Sequence, residues 1–135
     1  MSTDIGFEVT LTGPFDAALG RVTEVLAEHG FGILTTIDIK KAFAEKLGVD
    51  FRPYVILGAC NPTLAHRALT TRPEVGLLLP CNVTLEAGPD DKVTVRIADP
   101  VTLFAAGGFE SDPAMDVVVD EAHGLLEKVA AKLDG

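Results

Sequence analysis

Two stretches near the start of the chain alternate hydrophobic with polar side chains, at residues 7–11 and again at residues 31–37. A period of two is typical of a strand with one buried face. Each stretch is followed by hydrophobic positions at helical spacing, over residues 15–26 and residues 39–47. The pattern therefore predicts a β-α-β-α order, and it predicts that Leu47 faces inward from the second helix.

The middle of the chain changes pattern, because residues 54–60 form an apolar run without polar alternation. Such a run predicts a strand that is covered on both faces. Asn61-Pro62 directly after it predicts the start of a third helix, since asparagine accepts hydrogen bonds from free backbone amides and proline suits the first helical turn. That helix is expected to stop before Pro73.

A second apolar run predicts a strand that opens at Leu77, is interrupted by Pro80 and resumes at Cys81. Proline has no amide to donate to a sheet, so the interruption indicates a bulge or an edge position. A turn at residues 88–91 joins this strand to an alternating stretch at residues 93–97, and the two together predict a hairpin.

The last third of the chain predicts one long helix, which starts at Asp112-Pro113. Residues 101–104 before it are too short a segment to assign. The elements together predict an α+β fold of two layers, with helices on one face of a mostly antiparallel sheet. No repeat, low-complexity tract or linker interrupts the chain, so residues 1–135 are expected to form a single domain.

Charge and the N-terminal sequence narrow the range of partners. The chain has 135 residues and a formal net charge of −9 at pH 7. A phosphate backbone or an anionic membrane would repel such a surface, so neither nucleic acid nor a membrane is expected as a partner. The first residues lack the basic region and apolar run of a signal peptide, which predicts a cytoplasmic protein with reduced cysteines.

The two cysteines share a local pattern, in which Cys60-Asn61 and Cys81-Asn82 each follow an apolar run. Cys60 stands just before a predicted helix, whose partial positive charge favours a reactive thiolate. We expect the two cysteines at neighbouring strand ends, close enough to share a ligand or a transient disulfide. The alternative is that both are small buried hydrophobic residues. The asparagines could bind the amide groups of a ligand, although capping alone explains Asn61.

Other polar residues near these strand ends offer binding chemistry. Arg52 precedes the third strand and Arg67 follows its end, so the pair could hold a small anion; surface salt bridges are the alternative. His66 could form a soft-metal or haem ligand pair with Cys60, and an exposed histidine is the alternative. The sequence has no phosphate-binding glycine loop, nucleophile elbow or Cys-x-x-Cys motif, so it indicates no particular reaction.

Four segments in the middle of the chain carry a resemblance to a known family. They are LGVDFRPY at 47–54, ILGACNP at 56–62, AHRAL at 65–69 and GLLLPCNV at 76–83. With the similarity extending through Asp99-Pro100, most of the chain resembles the bacterial family called domain of unknown function 302. The resemblance implies a compact α+β domain that forms homodimers, and it brings no established activity.

Within that family, this chain is similar to the members that carry both Cys-Asn motifs. Other members have Gly-Asn-Pro where Cys60-Asn61-Pro62 stands, so the resemblance does not imply a role for Cys60 in the whole family. It leaves open whether a haem or a metal is bound at a dimer interface, and it places no ligands for either in this sequence.

Three interpretations of function remain open. The first, which we favour because the cysteines lack the polar, exposed setting of reactive thiols, is a binding module for a small molecule, metal or cofactor. Its candidate ligand-binding residues are Cys60, Asn61, Cys81, Asn82, His66 and Arg52. The second is a thiol-based redox or sulfur-handling protein, in which Cys60 reacts and Cys81 is its partner. A third is an interaction protein without pocket chemistry.

Overall fold

The structure is a computed structural model, and it describes residues 2–109 and 111–135. Its strands are β1 Gly6–Thr12, β2 Gly32–Asp38, β3 Tyr54–Cys60, β4 Cys81–Ala87 and β5 Lys92–Ala98. Its helices are α1 Phe15–Glu28, α2 Ile39–Leu47, α3 Pro62–Thr71, α4 Pro100–Ala106 and α5 Pro113–Asp134. A 3₁₀ helix, Pro73–Leu78, lies between α3 and β4.

The strands form one five-stranded sheet in the order β1-β5-β4-β3-β2. Every neighbouring pair is antiparallel. The predicted hairpin is confirmed as β4 and β5, and the turn between them places Asp90 and Asp91 at φ angles of 60° and 56°. The predicted α+β class is confirmed as well.

Alternate side chains on one face of the sheet pack against α1 and α5. The first hydrophobic cluster contains Leu85 and Val95 from the central strands, and it contains Leu26 from α1 and Leu126 from α5. All four are fully buried. A strand that slipped by one residue would turn its apolar side chains away from these helices, so this packing fixes the register of the sheet.

A second hydrophobic cluster lies beside the first, between α3, the 3₁₀ helix, α4 and α5. Val75, Phe104 and Met115 are among its buried residues. Because α5 has 22 residues, it contributes to both clusters, with Leu126 in the first and Met115 in the second. Within residues 2–109 and 111–135, no helix combines the length and the apolar character needed to cross a membrane.

Two helices begin at the capping residues that the sequence predicts. Asn61 Oδ1 accepts a hydrogen bond from the Leu64 amide at 3.2 Å, at the start of α3. Asp112 Oδ1 accepts one from the Ala114 amide at 3.0 Å, at the start of α5. Caps of this kind stabilise a helix by about 1 kcal/mol each.

The segment before β4 differs from the sequence prediction. It forms the 3₁₀ helix rather than a strand that opens at Leu77, and β4 begins only at Cys81. Val75 is buried whereas Leu77 is 91% exposed, so the segment buries one side of a helical turn instead of alternate residues. Pro73 favours that turn because its ring fixes φ near the helical value. The peptide bond before Pro80 is cis.

Two more differences concern helices. Residues 101–104, unassigned from the sequence, belong to α4, whose cap Asp99 accepts a hydrogen bond from the Val101 amide at 3.0 Å. Leu47 is 67% exposed, so the prediction that it faces inward is wrong. The reason is that α2 follows a strand at the edge of the sheet, and none of its residues is buried.

Candidate functional site

A small apolar pocket lies where β3 ends and β4 begins, and α3, α4 and α5 close over it. Its volume is about 40 Å³. The wall includes Cys60, Asn61 and Cys81 from the strand ends, with Leu64 from α3 and Phe104 from α4. It lies on the seam between the two hydrophobic clusters, since Cys81 packs on the first and Phe104 belongs to the second. We call it the Cys60–Cys81 pocket.

Strand pairing brings the two cysteines to neighbouring positions. β3 and β4 are antiparallel, and Cys81 lies opposite Ala59, the residue before Cys60. A step of one strand spacing and one residue separates the two Cα atoms by about 6 Å. Both cysteines are free thiols, and both line the same pocket. The prediction of neighbouring strand ends is confirmed, whereas a shared ligand stays a prediction.

The apolar surroundings keep both thiols in the protonated form. Burial raises the pKa of Cys81 to about 11, and charge repulsion from Cys60 adds to the rise. Burial also raises the pKa of Cys60 above its usual value. Burial therefore works against the thiolate that the start of α3 would favour at Cys60.

Asn61 is fixed by contacts on both ends of its side-chain amide. Its Oδ1 caps α3 through the Leu64 amide. Its Nδ2 lies against Gly30, where a Cβ atom would come within 2.9 Å of it and where a φ of +86° already favours glycine. The side-chain amide is therefore positioned by the helix cap on one side and by the close approach of Gly30 on the other.

The other three candidate ligand-binding residues lie away from this pocket. Asn82 is exposed on β4, opposite Gly58. His66 lines a separate groove between α3 and α5. Arg52 precedes β3 at its opposite end, where its Nε lies 2.6 Å from Glu86 Oε2. The prediction of one site formed by all six residues is therefore wrong for these three.

Simple geometry explains why the three are separated. Asn82 is exposed and is absent from the pocket wall, as expected for a residue that points to the opposite face of β4 from Cys81. Arg52 and Arg67 stand before and after β3, and a strand of seven residues is about 20 Å long. They cannot hold one small anion together. His66 is on the exposed side of α3 and does not join Cys60 as a metal or haem ligand.

Comparison with known families decides how the chain is related to other proteins. A family model described as "Domain of unknown function DUF302" matches residues 7–133. The chain belongs to the DUF302 family. The match spans both cysteines and every strand except the first residue of β1, so it confirms the resemblance inferred from the four segments.

A solved structure supports the fold of this DUF302 chain. It is the crystal structure of "uncharacterized conserved protein DUF302 from Bacillus stearothermophilus", with 27% sequence identity and a TM-score of 0.80. The similarity covers 94% of this chain and 98% of that one. No curated protein matches the chain. The comparisons therefore establish family and fold, and the site must be interpreted from its own geometry.

The donor set of this DUF302 chain limits what the pocket can bind. Among the described residues, no three His, Cys, Asp or Glu side chains cluster in a way that could hold a metal ion. The pocket, at about 40 Å³, is far smaller than the roughly 300 Å³ at which pockets for drug-sized ligands begin. A haem or another large organic cofactor does not fit inside it.

The helical half of the pocket wall was not predicted from the sequence. Phe104 comes from α4, which the sequence pattern does not predict, and Val118, Val119 and Ala122 come from α5. The helical spacing of the α5 residues predicted their burial but not their partner. No local signal in the DUF302 sequence shows that α4 and α5 close over the ends of β3 and β4.

Proposed function

We propose that this DUF302 protein is a binding module that takes the apolar end of a small molecule into the Cys60–Cys81 pocket. The observation that carries the proposal is the pocket, an apolar space of about 40 Å³ with one side-chain amide, Asn61, in its described wall. Protein interiors are close-packed, so a space of this size is a feature to be explained. Apolar cavities stay dry and accept apolar groups.

The size of the pocket sets the size of the group it takes. A space of about 40 Å³ admits a small group rather than a whole drug-sized molecule. The small apolar end of a short-chain carbonyl compound suits a wall that is almost entirely apolar.

A matched pair of alanine variants tests the proposal. Ala65 lines the pocket and is only half-buried, so Ala65→Leu should fill the space without disturbing the core. Ala131→Leu makes the same change at an exposed position of α5. In a titration of short-chain carbonyl compounds followed by NMR, wild type and Ala131→Leu should show shifts around the pocket, and Ala65→Leu should lose them. Equal binding by all three proteins would contradict the proposal.

The thiol-based function is the second candidate, and the presence of two free cysteines in one pocket wall favours it. Protonated thiols are poor nucleophiles, which is why we rank it second. Mass spectrometry of protein treated with iodoacetamide at pH 7 distinguishes the thiol-based function from the binding module. Alkylation faster than that of free cysteine would favour thiol chemistry, and slower alkylation would favour the binding module.

Adjacent unpaired thiols suit a reducing compartment, so we propose that the protein works in the bacterial cytoplasm.

We also propose that the protein is a homodimer joined along the open edge of β2. This strand ends the sheet beyond β3, and it exposes Leu34 by 66% and Ile37 by 46%. Edge strands usually carry a lysine, a proline or another charged residue that prevents pairing, whereas β2 carries a single charged residue, Asp38, at its last position. Two copies that each carry a net charge of −9 repel one another, so contact is easiest along a strand with little charge.

Pairing of two β2 strands about a two-fold axis is self-complementary, because each strand offers the other the same antiparallel edge. Light scattering at micromolar concentration should give twice the chain mass of 14.2 kDa. Leu34→Lys should give the single-chain mass, and Ile5→Lys, which changes an equally exposed residue outside β2, should not. A wild-type mass near that of one chain would contradict the dimer.

A further inference from the structure

We propose that the groove between α3 and α5 binds an α-amino acid with an apolar side chain. The α3 side of the groove contains His66, Arg67 and Thr70, and the α5 side contains Ala114 and Val117. Its volume is about 400 Å³, which lies in the range of roughly 300–1,000 Å³ for small-molecule sites. The function proposed above does not use this groove.

Two opposite charges stand side by side at the groove. Arg67 Nη1 lies 3.6 Å from Glu121 Oε1, which is too long for a hydrogen bond. Among the residues that the structure describes, no carboxylate accepts a hydrogen bond from Arg67. Arg72 and Arg96, by contrast, each donate one to a carboxylate at 2.8 Å. The Arg67 guanidinium therefore keeps its hydrogen-bonding capacity for a second carboxylate.

This pair of charges matches the charged end of an amino acid, which carries a carboxylate and an ammonium group on one carbon atom. The carboxylate can accept two hydrogen bonds from the planar guanidinium of Arg67, and the ammonium group can donate to Glu121. Because such a ligand has no net charge, the −9 charge of the chain does not repel it. A simple anion would instead meet the negative charge of Glu121.

The existing ion pair can open at little cost. The Arg67 and Glu121 side chains are 42% and 53% exposed, and exposed ion pairs contribute little to stability. Each charge gains a new opposite partner when the amino acid enters. His66 and Thr70 lie on the same face of α3, since helix positions four apart are neighbours. Their ring nitrogen and hydroxyl can bond the same charged groups of the ligand.

The α5 side of the groove favours an apolar side chain on the ligand. Val117 lines the groove and is 55% exposed, and Ala114 lies one turn before it. An aliphatic group laid over Val117 removes apolar surface from water, which favours binding in proportion to the area covered. Leucine should therefore bind more tightly than glycine.

The test is an NMR titration of the full-length, isotopically labelled protein with leucine. We expect saturable shifts at the amides of α3 and of the first half of α5. Arg67→Gln and Glu121→Gln should each weaken binding at least about threefold, because each removes one charge that faces the ligand. Arg21→Gln, the same change at an exposed arginine of α1, should leave the affinity unchanged.

A ligand series on the wild-type protein tests the two charges without any variant. Isocaproate is leucine without its amino group, and isoamylamine is leucine without its carboxylate. Each should bind at least about threefold more weakly than leucine, since each leaves one charge of the groove without its partner.

Other results would overturn the amino-acid site. Isocaproate that binds as tightly as leucine, or tighter binding by Glu121→Gln, would show a simple anion site. Full affinity in Arg67→Gln, or no saturable shifts at α3 and α5, would show that leucine does not occupy the groove. The carbonyl titration concerns the other pocket, so either proposal can fail while the other stands.

Discussion

Replacement of Gly58 by alanine tests how tightly the sheet is packed next to the pocket. Gly58 is buried in β3, opposite Asn82, and the side chains of Thr35 and Pro80 close over it. A Cβ atom at this position would overlap Thr35 Oγ1 and lie 2.8 Å from Pro80 Cγ. Because both neighbours would have to move, Gly58→Ala should destabilise the protein by about 1–3 kcal/mol.

The sign of the effect is the informative part of this prediction. In an open strand, alanine is more stable than glycine by roughly 0.5–1 kcal/mol. Unfolding entropy near the midpoint is about 0.28 kcal/mol/K for a chain of 135 residues. Gly58→Ala should therefore lower Tm by about 4–10 °C. Gly20→Ala in α1, where a Cβ meets no atom within 4 Å, should raise Tm by about 2–3 °C.

A double-mutant cycle with Thr35→Ala identifies the obstacle. Removal of the Thr35 hydroxyl should make Gly58→Ala less costly, with a coupling free energy of at least about 0.5 kcal/mol from urea unfolding. A Tm for Gly58→Ala that equals or exceeds that of wild type would refute the close approach of Thr35 and Pro80. A cycle with no coupling would leave Pro80 as the obstacle.

Three further predictions concern the cap of α3, the Cys81 thiol and the pairing of Arg72 with Asp112. Asn61→Ala should lower the free energy of unfolding in urea by about 1 kcal/mol, because α3 loses its cap. With the pKa of Cys81 at about 11, its alkylation rate should rise about tenfold per pH unit from pH 8 to 10, as peptide mass spectrometry can measure. Arg72 lowers the pKa of Asp112, so their pairing stabilises the fold above the unfolded pKa and less as pH falls through the folded value. Asp112→Asn should therefore reduce Tm at pH 7 and have little effect at pH 2.

Periodicity predicted the elements that bury one continuous stripe. Phe7 and Val9 in β1 and Leu126 and Val129 in α5 are buried as their spacing indicates. It failed at Leu77, because a local pattern does not show whether another layer covers a residue. Hydrophobic character alone suggested that Leu77 is buried, whereas its side chain is 91% exposed in the 3₁₀ helix.

The candidate site was predictable where it depends on neighbours along the chain. The short connection from Cys60 to Cys81 implied adjacent strand ends, and Asn61 before Pro62 implied a cap. The protonation of the thiols was not predictable, because it depends on desolvation by residues remote in sequence, such as Phe104 in α4. Electrostatics at a strand end is decided by whatever packs over it, and the sequence around Cys60 does not contain that information.

The seam between the two hydrophobic clusters has a consequence for the order in which the molecule opens. Separate clusters can act as separate cooperative units, or foldons. The unit formed by α3, the 3₁₀ helix and α4 can open while the sheet and α1 stay folded, and its amide hydrogens should then exchange with solvent sooner than those of β4 and β5. The Cys60–Cys81 pocket has wall residues from both units. A molecule bound in the pocket would therefore contact both units and hold them together. Slower amide hydrogen exchange in α3 and α4 would then show that the pocket is occupied, even when the bound molecule gives no signal of its own.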